Sequence, residues 1–533
     1  MAAGLGSPNG VILANALCNS ATHTPSPVIT SVSPASGYSS GGTSVTIKGL
    51  NFASGAVVLF GSITAAATTV DSPTTIVAVT PPEQPGIVTI SVIVNGTSSS
   101  IGSSSTNYFT FLIGSPYVPI TPTRICDTRP NNPSSLSGTY LSQCQGKTLG
   151  PGATLTITVS GLGQIPLSAT GAMLIVTAIG PTKTTYLTVY PASARTRPTA
   201  SSVNAHAGTT IANSVDVALP SSGPLAGMIK VYNLTGDVNI IIDVEGYMSA
   251  SNTPQSSLYH PLTNPSRLVD TRCSIATYKS AYSNYCNTIP PPNNSLNGLQ
   301  TGEVQTIRVS GLTGLPASGL AAVVLNITAT YASAGGYFTL YPSGTSRPIA
   351  SSLNWASGKT VANQVIVQVG ENGDVALYAS APVQAVADVS GYFTSGNSGN
   401  HLVSVSPVRI CDTRPSNPSG LSGTQAQCNG HTLAPDSRIT VKINGTAGLP
   451  SANISAAIIN LTATGADSSG YLSVNPASTP PETSDVNWTG PESVAIPNMV
   501  VATVNSAGYI TIYNGSGLSS VNVIVDVTGY LTG

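Results

Sequence analysis

The sequence predicts an all-β protein of tandem β-sandwich domains, and three observations carry that prediction. Short runs of alternating apolar and polar residues are separated by Gly-, Pro-, Asn- and Ser-rich turns at intervals of about 8 to 12 residues, the pattern of a small sandwich. No segment keeps a helical period of apolar residues over about ten positions. An Arg-x-x-Asp-Thr-Arg stretch occurs at residues 124–129, 267–272 and 409–414, and its aspartates, Asp127, Asp270 and Asp412, stand 143 and 142 residues apart. That interval is the size of a whole domain, not of a solenoid turn.

Composition narrows what such a protein can do. The chain has 533 residues, enough for roughly three to five domains at ~150 residues each. Only 7% of them are charged and the formal net charge is -1, against roughly a quarter charged in an average globular chain. The polar surface is therefore made of hydroxyls and amides, which release few counterions and neither steer nucleic acid nor hold anionic lipid. No run approaches the ~20 apolar residues of a membrane span, so no membrane insertion is expected. Residues 1–26 contain no Lys or Arg, so the basic start of a secretion signal is missing although residues 10–17 are apolar. A processed or truncated chain is expected, or one that leaves the cell by another route, such as release with a virion.

Six of the seven cysteines form three pairs, one in each copy: Cys126 with Cys144, Cys273 with Cys286, and Cys411 with Cys428. The first member lies in or directly after the Arg-x-x-Asp-Thr-Arg stretch, and the second follows 13 to 18 residues later across a polar loop. This repetition suits local disulfides better than metal ligation, for which CxxC spacing is expected. Closing such a loop stabilises a fold by roughly 3 kcal/mol, and disulfides imply an extracellular or cell-surface setting. Cys18 is left over, to be free, bonded to another chain, or incidental.

In chain order, residues 1–26 read as an arm, either a disordered terminus or a strand donated to a neighbouring chain. Strands are then expected at 28–32, 44–48, 57–60, 75–80, 87–94 and 108–112. Pro27-Val28-Ile29, Ser33-Pro34-Ala35-Ser36-Gly37, Gly41-Gly42-Thr43-Ser44-Val45-Thr46-Ile47, Gly49-Leu50-Asn51-Phe52, Phe60-Gly61, Thr80-Pro81-Pro82 and Gly86 resemble the IPT/TIG immunoglobulin-like family over 27–113. The resemblance implies an Ig-like sandwich used as spacer or binding domain in bacterial surface proteins and extracellular enzymes. Gly37-Tyr38-Ser39-Ser40-Gly41 also fits GxSxG, but a nucleophile elbow needs a strand before it and a helix after it. Here a Pro/Gly turn precedes and a strand pattern follows, so the motif is read as coincidence.

Three homologous domains are expected next, at 117–248, 258–394 and 401–533, each a two-sheet sandwich or jelly roll, with a trefoil as the other all-β solution. They share a Gly-to-Pro turn (161–166, 311–316, 445–450) and a Tyr-led strand (186–191, 337–342, 471–476). Each closes on an aspartate in a β-branched run: Asp243-Val244-Glu245-Gly246-Tyr247, Asp388-Val389-Ser390-Gly391-Tyr392 and Asp526-Val527-Thr528-Gly529-Tyr530. The set resembles the extracellular repeat domains with a TPxRxxDTR opening and a DVxGY ending, common in secreted proteins of actinobacteria and other bacteria. That resemblance implies a surface or attachment module and carries over no catalytic residue.

Two sets of repeated polar residues remain. Arg124, Asp127, Arg129 and Asp243, with their counterparts Arg267, Asp270, Arg272, Asp388 and Arg409, Asp412, Arg414, Asp526, are expected to form partly buried bidentate ion pairs that tie the first strand of each repeat to its last. The competing reading is glycoside hydrolysis, which needs two carboxylates ~5 to 9.5 Å apart, one with a raised pKa; adjacent arginines lower it. Asn204, Asn354 and Asn487, and Asn213, Asn363 and Asn498, are expected to brace turn backbone, or to recognise sugars together with Trp355 and Trp488. Ala205 replaces the tryptophan in the first repeat, and Pro480-Pro481 replaces Arg197-Pro198 and Arg347-Pro348 in the third. No metal, nucleotide or cofactor motif appears. The expected function is non-enzymatic: a structural or adhesive extracellular protein, partnered by itself or by a surface glycan, with a virion fibre and a carbohydrate-binding or polysaccharide-active protein as alternatives.

Overall fold

The computed structural model describes residues 25–39, 43–81, 83, 86–99, 107–112, 114–396, 398–475, 483–491 and 495–532. Residues 1–24 of the expected arm, Cys18 among them, lie outside these residues. The chain divides into two compact units, Met1–Leu112 and Ile113–Gly533.

The first unit is a two-sheet sandwich. One sheet runs Val28–Ser33, Ser44–Leu50, Thr75–Val79, Ala67–Ser72; the other runs Ser36–Tyr38, Tyr108–Leu112, Gly86–Val94, Val57–Phe60, Ile63–Thr64. Alternation aims Val45 and Ile47 inward while Ser44 and Lys48 face solvent, and Phe60, Phe109 and Phe111 meet edge-on at 5.0 to 6.0 Å. Such aromatic contacts add to what their burial contributes. Ala67–Ser72 was not foreseen because its ATTVDS sequence is partly exposed along its whole length and carries no apolar alternation. Residues 40 and 41 of the GxSxG match lie outside the described residues, and the element that follows is the strand Ser44–Leu50, not a helix.

In the second unit one topology occurs three times, each copy stacking two four-stranded antiparallel sheets. In the first sheet the spatial order is an opening strand (Tyr117–Asp127, Leu258–Asp270, His401–Asp412), a closing strand (Asn239–Met248, Gln384–Thr394, Asn522–Thr532), a middle strand (Gly171–Ile179, Leu320–Thr330, Ala456–Thr464) and an axial strand (Thr210–Ala218, Val361–Gln368, Ile496–Thr503). The second sheet of the first copy runs Thr154–Thr158, Met228–Asn233, Thr185–Pro191, Val203–Ala205. Two stacked sheets exclude the trefoil.

The middle and closing strands of the first sheet are buried on both faces, and this joins the copies. In Gly171–Ile179, Leu174, Val176 and Ala178 pack into the copy's own sandwich core, whereas Met173 and Ile175 point to neighbouring copies. A strand covered on both sides reads as one continuous apolar run. The three first sheets thereby enclose a shared core with Tyr117 and Met173 from the first copy, Tyr259 and Phe393 from the second, and Leu402 and Met499 from the third. The contact is cyclic. Tyr117 bridges to Ser257 ahead of the second copy, Tyr259 to Asn400 ahead of the third, and Leu402 to Ser115 ahead of the first. The glycine of each DVxGY run makes room for a neighbouring side chain: a Cβ on Gly246 would stand 2.2 Å from the Tyr117 hydroxyl and one on Gly391 2.2 Å from that of Tyr259, each within its own copy, whereas one on Gly529 would stand 2.2 Å from Asp216 Oδ2 of the first copy.

Candidate functional site

The opening and closing strands set Arg124 opposite Asp243, Arg267 opposite Asp388 and Arg409 opposite Asp526. Each guanidinium grips its carboxylate twice, Nε to Oδ1 at 2.8, 2.6 and 2.7 Å and Nη2 to Oδ2 at 3.0, 3.0 and 2.9 Å. The second pair is local. Arg129, Arg272 and Arg414 fork onto Asp127, Asp270 and Asp412, whose Oδ1 also accepts the same arginine's backbone N–H. Ser134 bridges Arg124 to Asp127 and Ser419 bridges Arg409 to Asp412; in the second copy the Tyr285 hydroxyl donates to Asp270 instead, at 2.8 Å.

The disulfides Cys126–Cys144, Cys273–Cys286 and Cys411–Cys428 close the loops behind these clusters, with Cα atoms 5.4, 5.6 and 5.2 Å apart. Burial works against the charge of Asp127 and Asp412, yet hydrogen bonds from Arg129 with Ser134, and from Arg414 with Ser419, hold both below the ordinary carboxylate range. Asp243, fully enclosed, is pushed upward by burial against the pull of Arg124.

The two asparagine sets separate. Asn213, Asn363 and Asn498 lie on the axial strands and are 1%, 0% and 1% exposed. Asn213 Oδ1 accepts from the Met499 N–H, Asn498 Oδ1 from the Gln364 N–H, and Asn363 Oδ1 from the Ser214 N–H, at 3.0, 2.9 and 3.1 Å. Their amide nitrogens donate within their own copies to the carbonyls of Ser202, Ser352 and Asp485. A closed ring of side-chain-to-backbone bonds thus links copy to copy around the axis. Sequence reasoning missed two contributors, Asn460 and Asn326, whose Oδ1 atoms accept from Asn213 and Asn498 at 2.9 Å each. By register against the closing-strand aspartates, the first copy has Ile175 at that position.

It also missed Asp216 and Glu245, both fully enclosed at the contacts between copies. The Ser404 hydroxyl donates to Asp216 at 2.5 Å, and burial lifts that carboxyl to about 8 although the hydrogen bond opposes it. Burial drives Glu245 well above the ordinary range, against a hydrogen bond from the Ile366 backbone. Alignment of the copies held the signal: Ile366 and Val501 stand where Asp216 does, and Ser390 and Thr528 where Glu245 does.

The tryptophans correct an expectation. Trp355 and Trp488 are 4% and 3% exposed, sit in sandwich cores and donate their indole N–H to Ala334 and Ser468. Neither ring face is available to a sugar. Asn354 and Asn204 instead line two clefts between copies, of about 370 and 350 Å³. The first lies between Arg124 and Arg129 of one copy and Tyr337 and Arg347 of the next; the second repeats it with Arg409, Arg414, Tyr186 and Arg197. Among the described residues no group of His, Cys, Asp and Glu could hold a metal ion, and no helix is long and apolar enough to cross a membrane.

Residues 27–111 match the IPT/TIG domain family. The IPT/TIG domain is thus the first unit's sandwich, whose strands run from Val28 to Leu112. No curated protein matches the chain. Among solved structures it is similar to SGBP-B from a complex xyloglucan utilization locus in Bacteroides uniformis, at 15% identity over 42% of this chain and 73% of that one, with a TM-score of 0.13. SGBP-B of the Bacteroides ovatus mixed-linkage glucan utilization locus, in complex with a mixed-linkage heptasaccharide, matches at 15% identity over 41% and 54%, TM-score 0.15. A triple jelly roll protein of an archaeal virus turret matches at 10% identity over 84% and 90%, TM-score 0.14.

Proposed function

We infer that the chain is an extracellular, non-enzymatic structural and attachment protein, in which an IPT/TIG domain accompanies three disulfide-stapled repeats that act as one body. The observation that carries this reading is the state of the repeated carboxylates. Asp127, Asp243, Asp270, Asp388, Asp412 and Asp526 are each held by a bidentate arginine. A glycosidase needs one of two such groups free to hand a proton to the glycosidic oxygen, whereas here both oxygens of every one of these carboxylates are engaged by a guanidinium. The resemblance of the repeats to secreted attachment modules and their three disulfides support the same conclusion. Incubation of the full chain with insoluble and soluble polysaccharides tests it: depletion of protein onto a polymer or onto cell surfaces is expected, with no release of reducing ends. Release that disappears on Asp243→Asn would overturn it.

A further inference from the structure

We propose that the two clefts between copies are binding sites for a carboxylated sugar, one between the first and second copies and one between the third and first. This deepens the attachment reading and rests on it. The chemistry follows from what each group in the cleft already has. Arg124 and Arg129 are occupied by Asp243 and Asp127, so their charges are largely cancelled within the cleft. Arg347 adds a third guanidinium, stacked at 3.7 Å over the Tyr378 ring and in no ion pair among the described residues. The cleft therefore has one positive charge in excess, held on an exposed side chain whose stem is already ordered. Arg197 repeats the arrangement over Tyr232, again at 3.7 Å.

Acceptors are present as well as donors. Thr177, 1% exposed, lines the first cleft with its hydroxyl unpartnered, and Asn354 Oδ1 is buried there without a donor. A buried polar atom with no partner costs roughly 1–3 kcal/mol, which a ligand group can recover. Inorganic phosphate at neutral pH offers acceptors to the arginine but little to a buried amide oxygen. A sugar carrying a carboxylate supplies both, the carboxylate to Arg347 and hydroxyls to Asn354 and Thr177, with the Tyr337 ring as a wall. Volumes of about 370 and 350 Å³ fall in the ~300–1,000 Å³ range of small-molecule sites.

The site count follows from the sequence. At the third junction Pro480 takes the position of Arg347 and Arg197, so the excess positive charge is missing and two sites are expected, not three. Isothermal titration of the full chain with tetragalacturonic acid and with a sialylated trisaccharide tests this, against cellotetraose and inorganic phosphate as controls. At least one acidic sugar should bind with a stoichiometry of two, and both controls at least tenfold more weakly. Arg347→Met and Arg197→Met, which keep an apolar stem on the tyrosine, should each leave one site, and together none, a loss of ~10–100-fold for a charge-assisted hydrogen bond. Binding of neither acidic sugar, equal binding of cellotetraose or phosphate, or an unchanged stoichiometry in the double variant overturns the proposal while leaving the structural reading intact. Cleavage of the probe would sink the non-enzymatic reading and leave the clefts standing.

Discussion

The axis and the clefts of the three-copy body both lie where copies meet, yet they treat polar groups in opposite ways. At the axis, Asn213, Asn363 and Asn498 are sealed from solvent, and each both accepts a neighbouring copy's N–H and donates to a carbonyl of its own. A carboxamide suits that position because it is donor and acceptor without charge. In the clefts the polar groups are guanidiniums whose outer edges stay reachable, such as Arg129 and Arg414 at 33% and 34% side-chain exposure. Where water is excluded, polarity serves to fix register between copies; where water enters, it stays available to a ligand.

The comparison can be broken first at the ion pairs, where the largest effect is expected. Asp526→Ala leaves Arg409, 8% exposed, without its counter-ion, which should cost ~3–5 kcal/mol in denaturant unfolding; a cost under ~1 kcal/mol would mean that the pair is solvated. Next comes the axis. Asn213→Ala strands the Met499 N–H and the Asn460 carboxamide oxygen and should cost ~2–3 kcal/mol. Asn363→Ala should cost less, since its second donor contact is a 3.4 Å approach to Ser214 and not a carboxamide.

The pH dependence of stability separates the two regions by sign. Asp216 has a folded pKa near 8, above the ordinary 3.8, so the native state holds a proton that the unfolded chain lacks between these values. Stability from this group is present at low pH and is lost as pH rises towards about 8. Asp216→Asn should therefore stabilise the protein at pH 9 and change its stability little near pH 3. Asp127 and Asp412 have lowered folded values; their contribution is present above the ordinary carboxylate range and is lost as pH falls through the folded value, so Asp127→Asn should cost more at pH 7 than at pH 2. Parallel melts across pH check both signs. The smallest effect belongs to the cleft: Arg347→Met should leave the unfolding free energy within ~0.5 kcal/mol, because the side chain is exposed and in no ion pair among the described residues.

Much of this was legible in the chain itself. Period-two alternation and the absence of any helical period determined an all-β architecture, and the threefold recurrence of Arg-x-x-Asp-Thr-Arg and of the closing Asp-Val-x-Gly-Tyr run marked the arginines and aspartates that meet across the opening and closing strands. The edge strand Ala67–Ser72 is not legible because only Val70 packs on the core from it, and a single apolar residue among ATTVDS makes no alternating pattern. The two asparagine sets looked alike, as did Trp355 and an exposed aromatic, because residue type records polarity and size but not which neighbour supplies the partner. What only the tertiary structure decided is that the copies close on one another. The middle strands, such as Met173 to Ala178, are apolar on both faces, which states that both are covered and leaves open by what. The covering surface is another copy about 140 residues away in sequence, and the cyclic order, the sealed axis and the clefts with their spare guanidiniums exist only once those sheets are set face to face.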